Sequence, residues 1–185
     1  MIDDVLTDAA RRMDKSVEAA KHEFTTIRTG RASAALLDRI QVSTYGTKMP
    51  VNQLATISVP EPRLLTITPF DKSIMKDIER GIQESDLGLT PSNDGQIIRL
   101  PIPQLTEERR KELVKQVRHM AEEGRVAARN VRRDAVHHLK KLEQDGDAGA
   151  DDVHRAEDRL QKVTDEHVQR IDAALKAKEA EIMEV

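Results

Sequence analysis

The sequence predicts an α+β protein in which a small β/α/β domain is inserted into an elongated three-helix bundle. Residues 2–27, 106–144 and 151–182 carry apolar side chains at steps of three and four, which is typical of helices packed against partner helices. Residues 40–100 combine short alternating runs with turn residues and hold most of the Pro of the chain. Because the last two long helices are joined by a short connection, they form an antiparallel hairpin, and the first helix completes the bundle.

Composition limits the class of protein. The chain is 34% charged and 2% aromatic, which favours long, exposed helices over a compact globule. It contains no Cys, which excludes disulfides and thiolate chemistry. The amino-terminal segment lacks the basic start and apolar centre of a signal peptide. No apolar run approaches the roughly 20 residues of a membrane span, so we expect no membrane partner.

The first helix extends from Ile2 to about Ile27. Asp3 and Asp4 lie in its first turn, where carboxylates favour the positive end of the helix dipole. Gly30 is a natural left-handed terminator. The apolar face is predicted to contain Val5 or Leu6, Ala9, Met13, Val17, Ala20, Phe24 and Ile27.

The inserted domain is predicted from alternating runs and turn residues. Pro60-Glu61-Pro62 is expected to separate two strands, and Asp71 to cap a short helix over Lys72–Gln83. Turns are expected at Tyr45-Gly46-Thr47 and Ser92–Gly95. The predicted strands are Ile40–Thr44, Lys48–Gln53, Thr56–Val59, Leu64–Thr68 and Gln96–Leu100.

The second long helix follows Thr106, which is the expected cap, and ends before the loop Asp145–Gly149. The third long helix is expected to begin at Asp151. The predicted packing stripe of the second is Leu113, Val117, Met120, Gly124, Ala127, Val131, Ala135, His138 and Leu142. That of the third is Val153, Ala156, Leu160, Val163, His167 or Val168, Ile171, Ala174 or Leu175, and Ile182.

A second stripe on the long helix is cationic. Its four arginines, at positions 118, 125, 129 and 132, fall within about 60° of one another around the helix axis, at about 100° per residue. Arg133 flanks them. Residues 109–133 hold nine Lys or Arg and three Glu, although the net charge of the chain is −3. We name this stripe the arginine face: Arg118, Arg125, Arg129 and Arg132.

Two interpretations of the arginine face remain open. It is either a solvated surface laced with Glu pairs, or a surface that binds a polyanion. Arg suits phosphate because its planar fork forms paired hydrogen bonds. The scarcity of aromatic residues disfavours base stacking and favours backbone contacts to folded RNA.

The predicted domains are residues 1–29 with 106–185, and residues 30–105. The chain crosses between them at Thr29-Gly30 and again at Pro101, Pro103 and Leu105, and two adjacent thin connections predict a hinge and an L-shaped or V-shaped outline. Arg28 and Arg31 bracket the first crossing. Their charges either complement the end of the helix dipole or contact a partner.

No catalytic arrangement is present in the sequence. The six His show no ligand spacing such as HExxH, and there is neither a phosphate-binding loop nor a nucleophile elbow. We therefore expect neither an enzyme nor a bound metal or cofactor.

Several long motifs resemble the ribosome recycling factor family. They are IRTGRAS with LLD (residues 27–38), TPFD (68–71), SDLGL (85–89), IRLPIPQLTEERRKEL (98–113) and GRVAARNVRRDA (124–135). The similarity extends over essentially the whole chain.

The resemblance implies a tRNA-like, cytoplasmic and monomeric protein that binds the large ribosomal subunit through its 23S-type rRNA. With elongation factor G and GTP, such a protein splits the post-termination ribosome into subunits and releases it from mRNA. The residues that match the family motifs at these sites are Arg28, Gly30, Arg31, Arg129, Asn130, Arg132 and Arg133. The alternatives are a non-ribosomal RNA chaperone and a coiled-coil adaptor, neither of which would respond to elongation factor G.

Overall fold

A computed structural model describes residues Met1–Glu184. The chain divides into two compact units: unit 1 contains Met1–Arg28 and the chain from Thr106 onward, and unit 2 contains Thr29–Leu105. The helices are α1 (Ile2–Thr25), α2 (Met75–Gln83), α3 (Glu107–Gln144) and α4 (Ala150–Met183). The strands are β1 (Gln41–Thr44), β2 (Thr47–Pro50), β3 (Ala55–Glu61), β4 (Leu64–Pro69), β5 (Ser92–Asn93) and β6 (Ile98–Pro101).

Unit 1 is a bundle in which α1, α3 and α4 each pack against the other two. The predicted face of α1 is confirmed, with Leu6 buried and Val5 only partly buried. The helix ends at Thr25, two residues before the predicted end. There the hydroxyls of Thr25 and Thr26 donate to the carbonyls of His22 and Glu23 in the last turn, and the Glu23 carbonyl also accepts from the amide of Thr26.

The predicted packing stripe of α3 is wrong by one position at several points. Ala121, Ala128 and Leu139 are buried where Met120, Ala127 and His138 were expected, and Leu142 is only partly buried. α3 contacts two helices at once, so its buried face is centred between them rather than on one seam. Small Ala side chains at this centre allow α1 and α4 to approach closely.

Two polar side chains lie on the buried face of α4. Thr164 is buried where Val163 was expected, because its hydroxyl donates to the carbonyl of Leu160 at 2.8 Å and so avoids an unsatisfied polar group. His167 is also buried. Its ring nitrogens lie 2.6 Å from the carbonyl of Val163 and 2.9 Å from Asp14 of α1, so it joins two helices.

Unit 2 contains a two-stranded sheet, β1–β2, and a four-stranded antiparallel sheet in the order β3-β4-β6-β5. The β1–β2 turn contains Tyr45 and Gly46 at φ 52° and 75°, the left-handed conformation that tight hairpins require. The Tyr45 hydroxyl donates to Asp71, which also caps the turn before α2 by accepting from the amide of Ser73 at 2.9 Å. That turn, Lys72–Ile74, is a 3₁₀ helix, so α2 begins later than predicted.

Three predictions for unit 2 are wrong. The strand predicted over Lys48–Gln53 ends at Pro50, and Val51–Gln53 form a 3₁₀ helix. Pro60 does not end a strand, because β3 continues to Glu61 with an irregularity after Ser58. β3 is an edge strand, where a residue without an amide donor is tolerated. The predicted turn Ser92–Gly95 begins with strand β5, and the reversal follows at Asp94, whose carboxylate accepts from the amides of Gln96 and Ile97.

Candidate functional site

The candidate site lies on α3, whose start is fixed by local chemistry. The hydroxyl of Thr106 accepts from the amide of Arg109 at 3.1 Å, which confirms the predicted cap. From there α3 continues without a break to Gln144. A continuous helix holds the arginine face in one register over its full length, so differences among its members come from their neighbours.

Arg118 and Arg125 bind carboxylates of α4. The Arg118 guanidinium lies 2.6 Å from Glu179, and that of Arg125 lies 2.8 Å from Asp172 and 2.7 Å from Glu122. The side chain of Arg125 is only 19% exposed. Hydrogen bonds to Glu179 and to Asp172 raise the pKa of Arg118 and Arg125, respectively, so both remain charged. These two residues join α3 to α4.

Arg129 is intermediate between the two ends of the arginine face in how closely it is paired with an acid. Its guanidinium lies 3.4 Å from Glu122, the same carboxylate that accepts a shorter bond from Arg125. About half of the Arg129 side chain is exposed. One carboxylate thus faces two arginines, and Arg129 keeps donors available for another acceptor.

The next turn of α3 has no comparable acid. We name Asn130, Arg132 and Arg133 the 130–133 cluster. Asn130 and Arg133 are exposed and Arg132 is partly buried. Across Met1–Glu184, no carboxylate lies within 4 Å of the guanidinium of Arg132 or Arg133. Here the positive charges of Arg132, on the arginine face, and of Arg133 beside it have no close ion pair among the described residues.

The crossing residues lie where the chain passes from one unit to the other. Arg28 is exposed at the end of its segment of unit 1, and Arg31 is exposed in unit 2, where it lines a shallow cavity with Val59 and Pro60.

Within unit 2 the two crossing segments touch at Gly30. Its φ is +76°, and a Cβ there would lie 3.3 Å from the Leu105 side chain and 3.7 Å from the Pro103 carbonyl. Thr29 and Leu105 are partly buried, whereas Pro101 and Pro103 are exposed.

The acidic partners of the arginine face were not found from the sequence. Glu179 and Asp172 lie 61 and 47 residues from the arginines that they bind. A signal for them does exist: a step of seven residues forward along α3, from Arg118 to Arg125, matches a step of seven back along α4. Antiparallel helices with a heptad spacing place such positions opposite one another.

Other kinds of site find little support in the described residues. Among Met1–Glu184, no group of three or more His, Asp or Glu is arranged to hold a metal ion. No described helix is both long and apolar enough to cross a membrane.

The fold and the charge pattern together define a class: a helical-bundle protein with an inserted β/α unit and a cationic helix face. Residues 20–183 match the family described as ribosome recycling factor. The chain belongs to the ribosome recycling factor family.

Similar proteins agree with this assignment over the full length. The chain is 62% identical over 180 residues to a ribosome-recycling factor of Rubrobacter xylanophilus, with 97% of each chain covered. It is 57% identical to one of Halalkalibacterium halodurans, with 100% of each covered.

Solved structures give the same result. A solution structure of a ribosome recycling factor is 43% identical, with a TM-score of 0.69, and the match covers 100% of this chain and 98% of that one. A Thermus thermophilus recycling factor, from a study that also placed Escherichia coli elongation factor G on the E. coli post-termination complex, is 44% identical. Its TM-score is 0.63, and both chains are covered completely.

Proposed function

We propose that this protein recycles ribosomes: it binds the post-termination ribosome and, with elongation factor G and GTP, splits it into subunits and releases it from mRNA. Binding is to the 23S-type rRNA of the large subunit, by a monomer in the cytoplasm. The protein contributes no catalytic chemistry of its own. GTP hydrolysis by elongation factor G supplies the energy.

The observation that carries this proposal is the 130–133 cluster. Two consecutive arginines, Arg132 and Arg133, without a carboxylate within 4 Å among Met1–Glu184, keep their donors for a partner. An arginine fork matches the geometry of a phosphate oxygen pair, and such contacts are stronger than neutral hydrogen bonds. Family membership makes ribosomal RNA the natural source of those phosphates.

Unit 2 supplies the moving part of the proposed mechanism. We infer a hinge at the two crossings, where Gly30 adopts a positive φ against Leu105. The bundle anchors to rRNA through α3, elongation factor G displaces unit 2, and the bundle transmits the force to contacts between the subunits.

The first test is light scattering of post-termination ribosomes mixed with the protein, elongation factor G and GTP. We expect scattering to fall only when all three are present. A folded protein that leaves scattering unchanged with a homologous elongation factor G would contradict recycling and favour a generic RNA chaperone or an adaptor.

The hinge has a separate test in Gly30→Val. The variant combines positive-φ strain with a Cβ 3.3 Å from Leu105. We expect large-subunit binding to persist and splitting to slow. Gly88→Val is the matched control, because Gly88 also has a positive φ of 66° but would place its Cβ in open space. Equal splitting rates for the two variants would argue against the hinge.

A further inference from the structure

Two arginines of the arginine face form a regular series of ion pairs with α4. Arg118 pairs with Glu179 at 2.6 Å, and Arg125 pairs with Asp172 at 2.8 Å. From the first pair to the second, the step is seven residues forward on α3 and seven back on α4, as a heptad spacing between antiparallel helices requires. We name this series the α3–α4 ladder. Its spacing identifies the residues that would form a third pair.

The third position of the α3–α4 ladder is occupied by Arg132 on α3 and Asp165 on α4, one further step of seven along each helix. The helices are still packed together at this level, because the preceding residues, Val131 and Thr164, are only 6% and 2% exposed. The residues that precede the second pair are buried in the same way. The register therefore places Arg132 and Asp165 on facing edges of the contact between α3 and α4.

This third pair is not formed in the structure. No carboxylate lies within 4 Å of the Arg132 guanidinium among the residues from Met1 to Glu184. The carboxylate of Asp165 instead accepts from the side-chain amide of Gln161, one turn earlier on α4, at 2.9 Å. Arg132 is partly buried, and Asp165 is exposed. The acid opposite Arg132 is thus bound by a neutral neighbour on its own helix.

The open arrangement differs little in free energy from one in which the third pair is closed. The bond from Gln161 to Asp165 is an exposed contact between residues four apart on a helix, and such contacts stabilise helices only weakly. An ion pair between Arg132 and the exposed Asp165 would also contribute little, because water screens it. Rotation of side chains is enough to exchange one contact for the other, so neither helix has to move.

We propose that Asp165 competes with RNA phosphate for Arg132 and thereby limits the affinity of the 130–133 cluster for its partner. When Gln161 binds Asp165, as in the structure, the Arg132 donors are available to phosphate. When Asp165 pairs with Arg132, some of these donors are occupied, and the affinity falls by the fraction of molecules in the closed arrangement. The inference rests on the proposed rRNA binding, and it adds a residue of α4 that sets the strength of that binding.

The experiment measures the affinity for isolated large ribosomal subunits in two variants with opposite expected effects. Asp165→Asn removes the competing charge and keeps an acceptor for Gln161, so binding should become about threefold tighter. Gln161→Ala releases Asp165 to Arg132 without changing the net charge, so binding should become about twofold weaker. The double variant should bind as tightly as Asp165→Asn alone, because Gln161 acts only through Asp165.

Asp158→Asn is the matched control for the loss of a negative charge. Asp158 is an exposed acid one further step of seven back on α4, but the corresponding residue of α3 is the buried Leu139, so no arginine lies opposite it. This variant should bind like the wild type. Equal tightening in Asp158→Asn and Asp165→Asn would overturn the inference, because net charge alone would explain both. An unchanged affinity in Gln161→Ala would overturn it as well.

Arg132→Ala separates the failure of this inference from the failure of the proposed function. If the 130–133 cluster binds rRNA, Arg132→Ala weakens binding whether or not Asp165 competes, and unchanged binding would contradict the rRNA contact itself. Once Arg132→Ala is present, adding Asp165→Asn should have no more effect than adding Asp158→Asn. A full threefold gain in that background would overturn the inference, because Asp165 would then act without Arg132.

Nuclear magnetic resonance of the free protein provides a reading that is independent of the ribosome. In Gln161→Ala, the Nε–H resonance of Arg132 should shift from its wild-type position as the pair with Asp165 forms. Adding Asp165→Asn should return the resonance to its wild-type position. An unshifted Arg132 resonance in Gln161→Ala would overturn the inference.

Discussion

The two ends of the arginine face have the same residue type and helix spacing but different surroundings. At one end, Arg118 and Arg125 bind Glu179 and Asp172 of α4. At the other, Arg132 has no carboxylate within 4 Å among the residues of Met1–Glu184, and neither does Arg133, which flanks it. The comparison teaches that a cationic stripe is not uniformly available to a polyanion, because the packing partner decides which charges are compensated within the fold.

The strongest test of this comparison removes the uncompensated end. Arg132→Ala with Arg133→Ala should weaken large-subunit binding about 100-fold, or about 3 kcal/mol, because two charge-assisted phosphate contacts are lost. The melting temperature should stay unchanged. Binding by titration and unfolding by circular dichroism measure the two effects.

A matched control removes two positive charges from the same helix. Lys140→Ala with Lys141→Ala alters exposed side chains two turns further on. An equal loss of affinity in this control would mean that net charge, rather than the 130–133 cluster, determines binding.

The next effect is on stability. Arg125→Ala should lower the free energy of unfolding by about 1 kcal/mol, because a largely covered side chain loses hydrogen bonds to two acids. For a chain of this size that is a fall of about 2–4 °C in melting temperature. Large-subunit affinity should change by less than about threefold. A large loss of affinity without a loss of stability would place Arg125 with the 130–133 cluster instead.

Acid should weaken the attachment of α4 to α1. Hydrogen bonds from Arg170 and from His167 depress the pKa of Asp14 in the folded state. A depressed pKa contributes stability that is present above the unfolded value of about 4 and is lost as pH falls through the folded value. Asp14→Asn should therefore melt at a temperature less dependent on pH below about pH 4 than the wild type does. If the melting temperatures of the variant and the wild type depend on pH in the same way, the contact of Asp14 with Arg170 and His167 does not control the loss of stability in acid.

The smallest effect is expected for Arg118→Ala. Its ion pair with Glu179 is short, but the arginine side chain is 64% exposed, so water and salt screen the attraction. The melting temperature should fall by less than it does for Arg125→Ala, and the difference from wild type should vanish at about 0.5 M salt. If the melting temperature falls as far as it does for Arg125→Ala, the exposure of the arginine side chain does not determine how much each ion pair stabilises the fold.

Local chemistry made much of the fold predictable. Thr106 and Asp71 cap the elements that follow them because each side chain bonds an amide two or three residues on, and such contacts are visible in the sequence. The centre of the α3 packing face was not predictable in the same way. Choosing Ala121 and Ala128 over their neighbours required knowing that α3 lies between two helices.

The position of the site on α3 was predictable, but which of its arginines bind acids within the fold was not. Helical spacing alone put Arg118, Arg125 and Arg132 on one face. What separates them is contact with Asp172 and Glu179, which depends on the register of α4 against α3. The matching seven-residue steps on α3 and α4 are present in the sequence. By themselves they do not select one register of α4 against α3, which only the packed structure shows.

The Tyr45 contact in unit 2 also gives the molecule an optical label. The chain contains one Tyr and no Trp, so its intrinsic fluorescence comes almost entirely from the β1–β2 turn. A nearby carboxylate that accepts the phenol proton quenches such emission, and Tyr45 donates to Asp71. Loss of structure in unit 2 should therefore brighten the protein, while far-ultraviolet circular dichroism reports mainly the long helices of unit 1. The melting of the two units can thus be followed separately in one unlabelled sample.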